Sequence, residues 1–281
     1  MDITFWGVRG SIASPGTTTT RVGGNTSCVE VCTAEQRFVL DAGTGIRTLG
    51  EALMARGGPV DVVLCLSHLH WDHIQGLPFF VPSYLPSTRI HVLGPAFSDA
   101  SVRDTLARQM ASPVFPVRFN DLASRTTVRE VMDRDDFTIG SATLRTARLH
   151  HPGGCIAWRI DAEGASIVYA TDTEHDACVD PALASFARTA DVLVYDSQYT
   201  PEEYRGASGP PRVGWGHSTY AAGAELAAAA CVAKLVLFHH DPQRTDDQVD
   251  EIERRAREIF PCTTAAREGL RISLRRLAHA A

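Results

Sequence analysis

"SHLHWDHIQGLP", Ser67 to Pro78, places three histidines and one aspartate within six positions: His68, His70, Asp72 and His73. It follows directly on the apolar run "VDVVLCL". A run of that length reads as a strand buried on both faces, so the polar cluster is delivered at a strand's end. Residues two apart on extended backbone project to the same side. His68 and His70 therefore point together, with Asp72 and His73 where the chain turns into the next element. Taken singly, each has an ordinary structural reading: a buried histidine is more often a hydrogen-bonded core group, and Asp72 suits the N-cap of a short helix "HIQGL". Four such residues buried together need partners. Imidazole nitrogen and carboxylate oxygen are the donors that zinc and similar ions accept, and one tight cluster can supply parts of two neighbouring ions.

Outward from this motif the chain alternates strands and helices. "ITFWG", "CVEVCT" and "RFVLDAG" read as strands, the last two as a hairpin around "AEQ". "IRTLGEALMAR" has apolar residues at 46, 49, 53 and 54 and stops at Gly57-Gly58, as an amphipathic helix does. "RIHVLG" as strand and "DASVRDTLARQMA" as helix follow, then strands "TTVREV", "DFTIG", "ATLRTARL", "CIAWRI", "SIVYATD" and "DVLVYD". A short helix falls near 181–188, and the end reads as helix "TYAAGAELAAAACV", strand "KLVLF" and helix "DDQVDEIERRAREIF". Both halves begin with clustered strands and end in helix–strand alternation. That pattern predicts an α/β protein of two similar halves stacked four layers deep, as one domain over 1–281. The Gly/Pro-rich "RGASGPPRVGWG" at 205–216 is short for a linker and reads as a loop over a site.

Composition bounds the function classes. Hydrophobic residues make up 44% and charged residues 21% of 281, which is ordinary for a folded soluble protein. The net charge of -6, without a polybasic run beyond "RR" pairs, disfavours binding a long polyanion through its backbone. The longest apolar candidate, "YAAGAELAAAACVAKLVLF", is broken by Glu225 and Lys234, and "MDITFWGVRGS" reads as a strand rather than a signal peptide. A soluble cytoplasmic protein with no membrane partner is expected. Seven scattered cysteines without a C-x-x-C pair, Cys28 and Cys32 among them, read as buried small hydrophobes in a reducing compartment.

The sequence resembles the metallo-β-lactamase-fold hydrolases, whose signature H-x-H-x-D-H stands here as His68, His70, Asp72 and His73. Later motifs have counterparts in order across nearly the whole chain: "LDAGTG" with Asp41, "HHPGG" with His151, "YATDTEHD" with Asp172, "GHST" with His217 and "LFHHDP" with His239. The resemblance implies a four-layered αββα sandwich and two divalent ions, zinc foremost, with manganese and iron also accepted by this ligand mix. It implies one ion held by His68, His70 and His151, a second by Asp72, His73 and His239, and Asp172 bridging. Asp72 is carried over as a catalytic carboxylate as well as a ligand. His151 is chosen over His150 because the family motif reads H-P-G. His239 is preferred to His240 because it continues directly from "KLVLF". Asp41 either orients a ligand histidine or simply forms the turn before Gly-x-Gly. Similarity to phosphodiesterase and tRNA-processing relatives implies that His217 protonates a leaving alkoxide, with Ser218 and Thr219 capping the next helix; a purely structural histidine is the competing reading.

Two ions about 3.5–4 Å apart lower the pKa of a bridging water and neutralise phosphoryl charge. The expected activity is hydrolysis of a small or cyclic phosphodiester by metal-bridging hydroxide. The tRNA-processing relatives carry a long arm between the motifs matching His151 and Asp172; here twenty residues separate the two. An RNA-processing endonuclease on long nucleic acid is therefore disfavoured. A lactone, thioester or β-lactam hydrolase would use the same metals, and retained activity without His217 would mark it. A diiron redox protein of this fold would want a flavin-bearing domain, for which the chain has no room. A binding module without turnover should have lost a ligand. The segment 78–136, with "LPFFVPSYLP" and "SPVFPVRF", is either a lid or pocket wall, or packs in the core or in a homodimer interface.

Overall fold

The computed structural model describes residues 1–97, 100–176, 178–207 and 209–274. The first half opens as an antiparallel meander of β1 (Asp2–Gly7), β2 (Cys28–Cys32) and β3 (Arg37–Leu40), and the "AEQ" hairpin sets Cys32 opposite Arg37. Pairing then becomes parallel, from β3 to β4 (Asp61–Cys65), β5 (Arg89–Pro95) and β6 (Arg125–Val131). Parallel neighbours need crossovers. They are built from α1 (Gly45–Arg56), the single turn α2 (Trp71–Ile74) and α3 (Val102–Gln109). The glycine stop after α1 is Gly57, at φ 72, and Ser101 caps α3 by accepting from Asp104 N.

The second half repeats the plan. β7 (Asp136–Ile139), β8 (Ala142–Leu149), β9 (Cys155–Ala162) and β10 (Ala165–Ala170) pair antiparallel, and β10, β11 (Val192–Asp196), β12 (Lys234–Phe238) and β13 (Thr263–Ala265) pair parallel. Helices α4 (Pro181–Ala187), α5 (Pro201–Arg205), α6 (Tyr220–Ala229) and α7 (Asp246–Ile259) make the connections. β14 (Arg271–Ser273) then returns to pair with β1. Among the described residues each sheet thus has seven strands, with three antiparallel pairings followed by three parallel ones. The expected twofold likeness of the halves is present at the level of strand pairing.

The layers follow from residue alternation. Val62 and Leu64 of β4 pack outward with Ile46, Leu49 and Leu53 of α1 and Val102 and Leu106 of α3. Val63 and Cys65 pack inward with Ile3, Phe5, Ile156 and Trp158 between the sheets. That double burial is why the run before the motif is apolar at nearly every position. The inner cluster continues through the second sheet to Ala224 and Ala227 of α6 and Val249 and Ile252 of α7, completing an αββα sandwich. Two bonds join the sheets at the opening motif: Trp158 Nε1 donates to Leu66 O at 3.1 Å and Ile156 N to Ser67 O at 2.9 Å. All seven cysteines are free; Cys28, Cys65 and Cys155 are buried and Cys32 half-buried, but Cys178, Cys231 and Cys262 are exposed, against the expectation of buried small hydrophobes, because they fall in connections rather than in core strands. No helix among the described residues is long and apolar enough to cross a membrane.

Candidate metal centre

The polar residues gather at the carboxyl ends of the parallel strands of both sheets. Asp41 follows β3, His68 to His73 follow β4, Asp172 follows β10, Asp196 ends β11 and His239 follows β12. Asp41, Asp172 and His239 adopt left-handed backbone at φ 63, 54 and 59. Such conformations cost about 1–3 kcal/mol each and persist where surrounding structure enforces them, commonly at functional sites. Asp72 is not the cap of the short helix. His70 occupies that position, and Asp72 lies in the first turn, where its Oδ2 accepts from Ser11 N at 2.7 Å.

The side chains form two groups. In the first, His70 Nδ1 lies 3.1 Å from His151 Nε2, and the rings of His68 and His151 are 4.9 Å apart. In the second, His73 Nε2 and His239 Nε2 are 3.3 Å apart, and each is 3.2 Å from Asp72 Oδ2. Asp172 stands between the groups with its two oxygens divided. Oδ1 is 3.1 Å from His73 Nε2 and 3.3 Å from His239 Nε2, while Oδ2 is 3.6 Å from His68 Nε2 and 3.8 Å from His151 Nε2.

Protonation fits cations at both groups. Asp41 accepts from Ser67 N at 2.7 Å, Ser67 Oγ at 2.8 Å, Tyr169 OH at 2.8 Å and His73 Nδ1 at 2.7 Å. Ser67 Oγ, having given its proton to Asp41, accepts from His68 Nδ1 at 3.1 Å. The proton on Nδ1 leaves His68 Nε2 as a bare lone pair, buried and without a hydrogen-bond partner among the described residues. Likewise His151 Nδ1 donates to Gly216 O at 2.8 Å, freeing Nε2. Burial pushes the pKa values of His68, His70 and His151 below the usual histidine range, so three neutral imidazoles converge. Nitrogen lone pairs so close repel unless a cation takes them, which fits a metal ion. In the second group burial opposes charge, yet nearby imidazoles hold Asp72 and Asp172 well below the usual carboxylate range, and Asp172, Asp72 and Asp41 in turn hold His73 well above the usual histidine range, so the carboxylates draw a proton to His73. That region also calls for positive charge. The cluster is a candidate dinuclear metal centre.

His217 lies beside it. Its Nδ1 donates to Asp196 Oδ2 at 2.8 Å and is 3.9 Å from Asp172 Oδ2. Burial disfavours its charged form, but Asp196, together with Asp172 and Asp72, outweighs burial and pushes the pKa up to about 9. Thr219 caps α6 by accepting from Ala222 N at 3.2 Å; Ser218 instead bonds Tyr195 OH and His175 Nδ1. The loop at 205–216 does border the site. Glu174 fixes it by accepting from Tyr204 OH, Gly214 N and Gly216 N at 2.6, 2.7 and 2.8 Å. Gly216 has φ 83, and a Cβ there would stand 2.4 Å from His151 Nδ1, so glycine is needed for that imidazole to reach its carbonyl.

The two histidine pairs separate cleanly. His150 is exposed, 3.5 Å from Asp176, while His151 enters the cluster. His240 turns away to donate to Ala266 O at 3.0 Å, while His239 enters. Asp41 orients histidines rather than merely turning the chain. Asp196, Ser67, Tyr169 and Glu174 are site residues that sequence reasoning missed.

Cavities open on both sides. One of about 410 Å³ is lined by Tyr199, Arg212, Trp215 and His217. Another, of about 280 Å³, is lined by His68, His70, Pro95, Phe97, Gly153 and Gly154. From the segment 78–136 it is thus Pro95, Phe97, Ala100 and Thr105 that wall the site, while Phe79 and Phe115 stack on each other edge to face at 5.6 Å.

Comparison with known proteins agrees with this architecture. A family model described as the beta-lactamase superfamily domain matches residues 36–240. Uncharacterized protein Rv1339 of Mycobacterium tuberculosis is 31% identical over 220 residues, covering 75% of this chain and 72% of that protein. Ribonuclease Z of Lacticaseibacillus casei is 27% identical over 273 residues, covering 82% and 83% respectively. The crystal structure of the metallo-beta-lactamase fold protein YhfI from Bacillus subtilis is similar with a TM-score of 0.72 at 18% identity, over 96% of this chain and 98% of that one. The model match spans most of the chain and includes every residue of the cluster, and the layering is that of a known fold. On both grounds the chain belongs to the metallo-β-lactamase superfamily.

Proposed function

We propose that the protein is a dinuclear metal-dependent phosphodiesterase acting on a small or cyclic phosphodiester. One divalent ion would be held by His68, His70 and His151 and a second by Asp72, His73 and His239, with Asp172 shared between them; zinc is the ion favoured. Divalent ions so placed supply Lewis-acid charge for phosphoryl oxygens and a water of lowered pKa. The chain's residues do the rest. Asp172 directs one oxygen to each group, and Asp72 is held by Ser11 N so that its Oδ2 stays between His73 and His239.

The observation that carries the phosphodiester reading is the His217–Asp196 pair. With Nδ1 committed to Asp196, the protonated ring keeps its Nε2–H as the free donor, suited to a departing alkoxide. A β-lactam, thioester or lactone hydrolase has less use for such a charged donor. Similarity to ribonuclease Z supports phosphodiester chemistry. A small substrate is supported by the β9–β10 connection, which pairs Ala162 with Ala165 and turns on Glu163 and Gly164. A long RNA-gripping arm has no place in that turn. The test is a hydrolysis screen of metal-reconstituted protein against bis(p-nitrophenyl) phosphate, cyclic nucleotides, a lactone, a thioester and a β-lactam. Turnover of the phosphodiesters is expected; turnover confined to the other three would overturn the reading.

A further inference from the structure

Four of the five most buried imidazoles at the site have a visible anchor for the ring nitrogen that faces away from it. His68 has Ser67 Oγ, His73 has Asp41, His151 has Gly216 O and His217 has Asp196. His239 is the exception. Its Nδ1 is buried and, among the described residues, without a partner. A second buried atom is in the same condition, Gln198 Oε1. The two flank one small space, which exists because residue 10 is glycine: a Cβ on Gly10 would stand 2.4 Å from His239 Nδ1 and 2.8 Å from Gln198 Oε1.

The two orphans are complementary. If His239 Nε2 gives its lone pair to an ion, the ring's proton must sit on Nδ1, which becomes an obligatory donor. Gln198 Oε1 is an acceptor, and its orientation is set, because Nε2 of the same amide donates to Tyr199 OH at 3.1 Å. The Gln198 backbone is held as well, its N donating to Asp196 Oδ1 at 3.1 Å and its O accepting from Arg244 Nη2 at 3.0 Å. Leaving a buried donor and acceptor unpaired side by side is costly, and a small rotation of the amide or one bridging water satisfies both.

We propose that Gln198 is the positioning residue of His239, anchoring its Nδ1–H across the space that Gly10 leaves open so that Nε2 faces Asp72 and Asp172. The inference rests on the reading of His239 as a metal ligand. It also explains why a carboxamide stands here when His73 is backed by the carboxylate Asp41. Asp72 and Asp172 already crowd the second group, and a neutral acceptor fixes the ring without adding a further buried negative charge.

The experiment loads wild type, Gln198→Met, Gln198→Glu and Tyr199→Phe with Zn²⁺, measures both metal equivalents by chelator competition, and records the spectrum of the Co²⁺-substituted proteins. Loss of an outer hydrogen bond to a ligand typically weakens metal binding about 10–100-fold. Gln198→Met should weaken one equivalent by that factor, leave the other unchanged and alter the Co²⁺ spectrum. Gln198→Glu retains an acceptor and should bind both ions at least as tightly as wild type; should the Met variant fail to fold, this arm decides, and a weakened ion in folded Gln198→Glu overturns the proposal. Unchanged affinities in Gln198→Met overturn it too. Tyr199→Phe frees the amide that the phenol orients and should weaken the same equivalent by no more than Gln198→Met does; a larger loss than in Gln198→Met overturns the proposal, because it would make Gln198 a packing residue that merely tethers the phenol. A wild type that binds no divalent ion brings down the reading of the whole site, which is a different result from two bound ions that ignore Gln198.

Discussion

The imidazole of His217 is joined to Asp196 by a 2.8 Å bond, although 21 positions separate the two, one ending a strand of the second sheet and the other standing deep in the connection that leaves it. Asp196 is fully buried at the end of β11 and His217 sits in the loop before α6. The pairing commits Nδ1 to Asp196 and, together with Asp172 and Asp72, favours the charged ring in a place where burial alone would neutralise it.

That donor should matter in proportion to how poor the leaving group is. An alkoxide must be protonated as it departs, whereas p-nitrophenolate is stable unprotonated. General acid catalysis contributes roughly 10²–10⁴-fold where it is needed. His217→Ala should therefore lose about that much turnover on a cyclic nucleotide, yet keep bis(p-nitrophenyl) phosphate turnover within about tenfold. Steady-state rates for both substrates with matched metal content decide it. Equal losses on the two would mean that His217 supports the site rather than the departing oxygen.

The division of Asp172's oxygens between the two nitrogen groups makes a second expectation. Asp172→Ala should abolish activity and release at least one ion, whereas Asp41→Asn should retain every ligand and lower affinity by about 10–100-fold. Elemental analysis after gel filtration and a chelator titration measure these separately. Full activity and two ions in Asp172→Ala would show that the ligands are assigned wrongly.

Much of this centre was legible because its ligands are local. His68, His70, Asp72 and His73 share one strand end, and the double burial of Val62 to Cys65 marks that strand by composition alone. Asp196 reads in "DVLVYD" as a strand residue like any other, since its partner lies 21 positions on and only the folding back of His217 and Ser218 onto the end of β11 unites them. Gln198 and Glu174 were invisible for the same reason. β13 and β14, three residues each, are too short to show a period, and they exist because β12 and β1 offer edges to pair with. α5 was missed beside its Gly/Pro-rich neighbour, although Thr200 and Glu203 form a capping box that is written in the sequence.

Glu203 also ties α5 to the strand-end region, accepting from Arg244 Nη1 and Nη2 at 2.9 and 2.7 Å. Burial favours its neutral form, but the bonds from Arg244 and Thr200 N outweigh it and lower the pKa. A carboxylate with a depressed folded pKa stabilises fully above its unfolded value of about 4.3, and that contribution is lost as pH falls through the folded value. Glu203→Gln should thus cost about 1–3 kcal/mol at pH 7, with the gap to wild type closing below about pH 4. Urea midpoints at pH 7 and at the lowest pH where both proteins fold test this. A gap independent of pH would assign the effect to packing.

Arg212 offers the last prediction. Its guanidinium lies over the rings of Tyr199 and Trp215, 5.4 and 4.7 Å from their centroids, on the wall of the cavity that His217 adjoins. Among the described residues no carboxylate comes within ion-pair distance of it. Stacking on two rings orients the cation without neutralising it, so its donors remain available to acceptor atoms of a substrate whose scissile phosphate sits at the metal centre. Binding at that distance from the reacting atoms is felt equally in the ground and transition states, which moves KM and spares kcat. Arg212→Ala should accordingly raise KM for the best substrate of the screen by roughly 10-fold, leaving kcat within about twofold and both ions in place. Arg212→Lys should not restore it, because an ammonium cannot stack between two rings and present a planar fork at once. A fall in kcat at unchanged KM would instead place Arg212 at the reacting atoms, and no change in either would leave the guanidinium as a clamp that closes the 205–216 loop over Tyr199.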